Sequence, residues 1–143
     1  KLKSKTVLLL LVYFYNVYGR REISKGKYAT LIALFKEKIS NGEPLTVVSP
    51  GTQKRNFTHV DDIIDGLVLV GENGYGDEFG IGSPDSFSVL EIAKMFGGEI
   101  VMLPERKGNR MTADVVTSKT EALGWQAKQS IRTYIENFKQ SMR

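Results

Sequence analysis

Residues 52–66, TQKRNFTHVDDIIDG, set an arginine, an aromatic residue and the only histidine of the chain directly before two acids and an apolar run. Asp61 and Asp62 stand where a helix N-terminus favours negative charge and side-chain oxygens for its unpaired amides. The spacing predicts a helix opening there, with Ile64, Leu67 and Val68 on its inner face and GENGYG closing it. His59 could be a base, a metal ligand or a packing residue. Neighbouring acids alone would suit only magnesium or calcium, and no G-x-S-x-G elbow accompanies it. A structural histidine ahead of a helix cap fits best, with the acids serving the helix.

Outward from this stretch, strand and helix patterns alternate. Residues 6–15, TVLLLLVYFY, read as a strand apolar on both sides, as in a sheet covered on two faces. They are half as long as a bilayer-crossing helix requires, and no small-residue cleavage site follows. Tyr28, Leu31, Ile32, Phe35 and Ile39 fall at helical spacing, and SNGEP ends that helix. LTVV (45–48) is a short strand stopped by SPG, and the path through Arg55 to His59 reads as another. EFGIG (78–82) is a strand. Ser88 with Glu91 forms a capping box ahead of Val89, Ile92, Ala93 and Phe96 on one helical face. EIVML (99–103) is a strand ended by Pro104, a short helix ends at LGW, and Ile131, Tyr134, Ile135 and Phe138 mark a last amphipathic helix. The order implies a mixed α/β fold without repeats.

The 143 residues suit about one domain, with 41% hydrophobic content, enough for a core. The net charge of +4 comes from basic residues dispersed among acids, a solvated surface rather than a nucleic-acid footprint. Cysteine is absent, which excludes disulfides and thiolate metal sites and fits a reducing, cytoplasmic compartment.

Gly76, Gly80 and Gly82 in GDEFGIG have the G-x-x-x-G-x-G spacing of a nucleotide loop. Such a loop needs a strand before it and a helix directly after it. Here turns precede and SPDSF delays the helix, so a turn entering a strand is the better reading. Arg55 and Arg106 sit on separate loop passages at strand ends, and two such guanidinium groups can converge on a pyrophosphate.

Four segments in order carry a resemblance: YFYNVYG (13–19), PLTVVSPGTQKRNFTHVDDIIDG (44–66), FGIGSPDSFSVLEIA (79–93), and LPERKG (103–108) with SKTEALGW (118–125). Together they resemble the C-terminal portion of the extended short-chain dehydrogenases, the NAD-dependent nucleotide-sugar epimerases and dehydratases. The resemblance implies the end of a Rossmann-like sheet plus a small mixed α/β substrate-binding domain across residues 1–143. It implies that Asn16 lies near the diphosphate of a nucleotide-diphospho-sugar, and that Arg55 and Arg106 hold its phosphates. Val47 and Val48 would flank the nucleobase, and Phe14 would lie beside the nicotinamide of NAD. No nucleic-acid or membrane partner is implied, and the resemblance admits a homodimer of the intact enzyme.

The departures concern chemistry. Tyr13 stands where the family usually has arginine and Arg20 where it has proline. None of the six tyrosines is followed four residues later by lysine, so the family's acid/base tyrosine and the lysine that lowers its pKa are missing. No catalytic or metal-binding residue is assigned, and this segment alone is expected to be inactive. The expectation is a substrate-binding portion whose dinucleotide loop and Tyr/Lys pair lie outside these residues. The alternatives are a non-catalytic diphosphate-binding module and a structural interaction domain.

Overall fold

The computed structural model describes residues 9–105 and 115–143. In chain order the elements are β1 (Val12–Tyr13), β2 (Val17–Tyr18), α1 (Leu31–Ser40), β3 (Leu45–Val48), β4 (Lys54–Asn56) and β5 (Thr58–His59). They continue with α2 (Val60–Asn73), β6 (Phe79–Gly80), β7 (Ser86–Ser88), α3 (Val89–Phe96), β8 (Ile100–Leu103), α4 (Ser118–Ala122) and α5 (Ile131–Ser141). Three pairings are parallel, β1 with β6, β2 with β5 and β3 with β8, while β4 and β7 run antiparallel. Parallel partners need long crossovers, so residues far apart in sequence meet at each pair. This is the mixed α/β fold read from the alternating patterns.

Two cores result. The larger gathers Ile32, Phe35, Leu45, Val47, Ile92, Phe96, Ile131 and Ile135 from α1, β3, α3 and α5, with Tyr18 of β2 and Phe57 from between β4 and β5. The smaller packs Ile63, Ile81 and Trp125 beneath α2, with Val12 and Val17 against them. The capping box at α3 forms as expected: Ser88 Oγ accepts from Glu91 N, and the Glu91 carboxylate accepts from Ser88 N. The Ser88 amide on its carboxylate, and then the Ser88 side chain, depress the Glu91 pKa. The face expected of α3 is the one that packs, as are Ile131 and Ile135 of α5.

Three expectations are corrected. Among the described residues the strand expected over residues 6–15 is limited to Val12–Tyr13, because β6 offers it only two register positions. Leu9 and Leu11 are 79% and 56% exposed, so this run is not covered on two faces here. Helix α1 begins at Leu31 after Thr30, whose hydroxyl accepts from Ala33 N, which leaves Tyr28 outside it and exposed.

The third correction concerns α2. Ile64 and Val68 are 50% and 53% exposed, whereas Asp62, Ile63, Gly66 and Val70 face inward. The apolar periodicity misleads because a polar group holds the inner face. The Asp62 carboxylate is buried and accepts hydrogen bonds from the amides of Lys128 (3.1 Å) and Gln129 (2.9 Å). Trp125 Nε1 donates to the Asp62 carbonyl at 2.9 Å. One turn on, a Cβ at Gly66 would lie 2.8 Å from Ile81 Cδ1 and 3.0 Å from Trp125 Nε1, so any side chain there would have to displace Ile81 or Trp125.

Replacing Asp62 leaves two inward amides without acceptors. Asp62→Ala is therefore expected to lower the unfolding free energy by about 3 kcal/mol, while Ile64→Ser changes it by less than about 0.5 kcal/mol. Urea denaturation of both variants measures this, and the reverse ranking would show that the other face of α2 carries the packing.

Candidate functional site

Between β1 and β2 the chain turns through Asn16, whose φ of 49° is left-handed, a conformation asparagine tolerates better than most residues. Its carbonyl accepts from Thr58 N at 3.3 Å, and β2 then pairs with β5, Val17 opposite Thr58 and Tyr18 opposite His59. The Asn16–Gly19 turn thus lies directly against the passage containing Arg55. Gly19 is required there, because a Cβ would lie 2.6 Å from Val60 Cγ1. The segment after β6 is sewn to the same passage: Ser83 N donates to Thr58 Oγ1 and Asn56 Nδ2 donates to the Ser83 carbonyl, both at 2.8 Å.

His59 is a structural residue of this region. It is the N-cap of α2, with Nδ1 accepting the Asp61 amide at 3.2 Å, a role more often filled by an oxygen side chain. Asp61 and Asp62 both stand in the first turn as expected, and the Asp62 carboxylate also serves the 128–129 segment. The imidazole packs edge-on against Tyr18 and Tyr134, with centroids 5.2 and 5.7 Å away. Tyr134 donates to the Gly19 carbonyl at 2.7 Å and accepts from Lys36 Nζ at 3.0 Å. Among the described residues no group of three or more His, Cys, Asp or Glu is placed to hold a metal ion, and no helix is long and apolar enough to cross a membrane.

Arg55 is half-buried in β4, opposite Phe87 of β7, and its Nη1 donates to the Lys54 carbonyl at 2.8 Å. Arg132 of α5, not selected from the sequence, stacks its guanidinium 4.9 Å from the Phe87 ring centroid. Its only sequence signal is a position beside the buried Ile131, which places it on the polar side of an amphipathic helix. Arg106 lies outside the described residues. The end of β8 that leads to it is adjacent to the turn that leads to Arg55, because Ser49 N donates to the Leu103 carbonyl at 2.9 Å.

Val47 is fully buried in the larger core, so the side chains of β3 that reach toward the surface are those of half-buried Thr46 and Val48. Phe14, just past β1, is 39% exposed. Two of the three glycines of the GDEFGIG segment have their Cα faces covered: a Cβ at Gly80 would clash with the Val116 carbonyl, and one at Gly82 would lie 3.2 Å from Val115 Cβ, while Gly76 is open. A pyrophosphate has no room to approach the covered two, in keeping with a turn entering a strand.

Residues 4–82, more than half of the chain, match the model of the NAD dependent epimerase/dehydratase family. The chain belongs to that family. Among its relatives, UDP-glucuronic acid decarboxylase 5 of Arabidopsis thaliana is 32% identical over 126 residues, 82% of this chain and 36% of the plant protein. UDP-glucuronic acid decarboxylase 2 of the same plant is 30% identical over 139 residues, 91% of this chain and 30% of its own length. The epimerase/dehydratase chain therefore spans about a third of the curated relatives it matches. In fold it resembles the UDP-glucose 4-epimerase of Thermotoga maritima solved with UDP-glucose, at a TM-score of 0.79 and 27% identity over 94% of this chain and 47% of that one. The resemblance to the extended short-chain dehydrogenases that act on nucleotide sugars thus holds, and the short parallel strands match a partial Rossmann-like segment.

Beside the Asn16 turn, Tyr18 of the larger core is 1% exposed and its hydroxyl has no hydrogen-bond partner among the described residues. Burial first, and then the Asp62 charge, push its pKa far above the ordinary tyrosine value. The folded-state pKa exceeds the unfolded one, so this contribution to stability is complete below about pH 10 and is lost as pH rises further. Tyr18→Phe is expected to leave stability at neutral pH within about 1 kcal/mol of the parent, because no bond is broken, and to reduce the alkaline loss. Chemical denaturation at neutral and strongly alkaline pH measures both; an equal alkaline loss in the two proteins would exclude Tyr18 as its source.

Proposed function

We propose that residues 1–143 form the substrate-binding part of an NAD-dependent enzyme that converts a UDP-sugar. In this reading Arg55 and Arg106 grip the diphosphate, Asn16 donates to it through its side-chain amide, and the β3 strand at Val47 and Val48 flanks the base. The planar guanidinium pair suits two linked phosphates because each presents parallel donors to two oxygens. A remote grip of this kind supplies binding energy that orients the sugar for reaction at another part of the molecule. The uridine nucleotide is favoured because the relatives and the solved neighbour above share UDP in their names. Those names include decarboxylation beside epimerisation, so the reaction class extends past epimerase and dehydratase.

NAD is the family's cofactor by its description, and when bound it supplies the hydride acceptor. Phe14, an exposed ring just past β1, offers a flat apolar face suited to the nicotinamide, whereas the covered Gly80 and Gly82 do not suit its pyrophosphate. The dinucleotide loop and the Tyr/Lys pair are assigned outside these residues. A cytoplasmic setting agrees with the absence of cysteine, and a homodimer of the intact enzyme is compatible with this reading.

The observation that supports the grip most is the Thr58–Asn16 hydrogen bond, which puts the Asn16 turn beside the strand passage that begins with Arg55. Titration calorimetry with UDP-glucose tests the reading. Arg55→Ala is expected to weaken binding about 10- to 100-fold, the worth of one or two charge-assisted hydrogen bonds. Unchanged affinity in a folded Arg55→Ala protein would remove the diphosphate from this site. The chain by itself is expected to show no turnover of UDP-glucuronic acid or UDP-glucose with added NAD, and turnover would place catalytic groups within it.

A further inference from the structure

Beside Arg20, just past β2, a cavity of about 500 Å³ is lined by Arg20, Lys36, His59, Tyr134, Asn137 and Phe138. Its size falls within the range of small-molecule sites. Two cations line it, and neither has a carboxylate partner among the described residues. Lys36 Nζ lies 5.0 Å from the Tyr134 centroid and 5.5 Å from that of Phe138, and donates one hydrogen to Tyr134 Oη. That hydroxyl gives its own hydrogen to the Gly19 carbonyl. The ammonium is therefore held in place by aromatic faces with two donor hydrogens left for another acceptor.

Arg20 follows Gly19 directly and brings an exposed guanidinium to the cavity; it is also the position where this sequence departs from the proline its family resemblance leads one to expect. One acid lines the cavity, Asp61, and it is exposed, with a carboxylate oxygen 3.5 Å from His59 Nδ1. The net charge of the lining is thus positive, and the donors outnumber the acceptors.

We propose that this cavity binds a phosphate dianion, free or as a small phosphomonoester, at a site separate from the diphosphate grip at Arg55. Lys36 supplies a pre-positioned point charge and Arg20 a forked donor, the combination that suits a tetrahedral anion with several acceptor oxygens. The Tyr134 and Phe138 rings provide an apolar wall for the organic part of an ester. Because Tyr134 bridges Lys36 and Gly19, an anion on Lys36 pulls on the same hydrogen-bond chain that holds the Asn16 turn.

Amide NMR titrations with inorganic phosphate and, separately, ribose 5-phosphate distinguish the two sources of the dianion. Saturable shifts are expected at Gly19, Arg20, His59 and Tyr134, with the tighter ligand identifying the source. Lys36→Met, which keeps an apolar stem against the rings, and Arg20→Ser, which alters only an exposed side chain, are each expected to weaken binding about tenfold. Arg55→Ala is expected to leave it unchanged. Absence of saturable shifts with both ligands, or equal affinity in the parent and Arg20→Ser, would overturn the site, and the UDP-glucose titration of Arg55→Ala stands or fails independently of either result.

Discussion

The buried Asp62 carboxylate, accepting from the Lys128 and Gln129 amides, holds the described parts of this chain together. It turns α2 so that Gly66 and Val70 face inward, and it ties the 125–129 segment, with Trp125 on the Asp62 carbonyl, beneath that helix. That anchor sets where α5 begins, and α5 carries Tyr134 to the Gly19 carbonyl. The Asn16 turn, the His59 cap and the start of α5 therefore form one linked unit. A buried carboxylate is tolerable only with such partners, since an unpaired one would carry a desolvation cost no nearby group offsets.

Substrate binding fits this design because the candidate groups sit on short strands that the linked unit braces. Arg55 comes from β4, pinned by β7, and the adjacent β5 holds the Asn16 turn through Thr58. The cations Arg55 and Arg132 flank the Phe87 position from two elements, one a strand and one the last helix. An anion-binding region assembled this way gains from pre-organisation, since its side chains are ordered before the ligand arrives.

Much of this was legible in the sequence where local chemistry decides structure. The Ser88–Glu91 capping box, the LTVV strand and the α3 face follow from capping and periodicity, which do not depend on distant partners. The decoy glycines were legible too, since no helix follows them closely enough to form a phosphate loop. What failed was the inner face of α2: its apolar stripe pointed one way, while a carboxylate paired with amides 66 and 67 positions away turned it the other. No local pattern encodes that pairing. The His59 cap and Arg132 were missed for a related reason: an imidazole is an uncommon cap, and an arginine gains meaning only from the ring it lies over. The family motifs, by contrast, carried the nucleotide-sugar reading, and the family match over residues 4–82 agrees with it.

A structure of this chain bound to UDP-glucose tests the account most directly, through the distances from the diphosphate oxygens to Arg55 and Asn16. The account predicts both the guanidinium of Arg55 and the side-chain amide of Asn16 within hydrogen-bonding distance of the phosphates. A diphosphate seated away from both residues, with Arg55 engaged only by neighbouring protein groups, would contradict it.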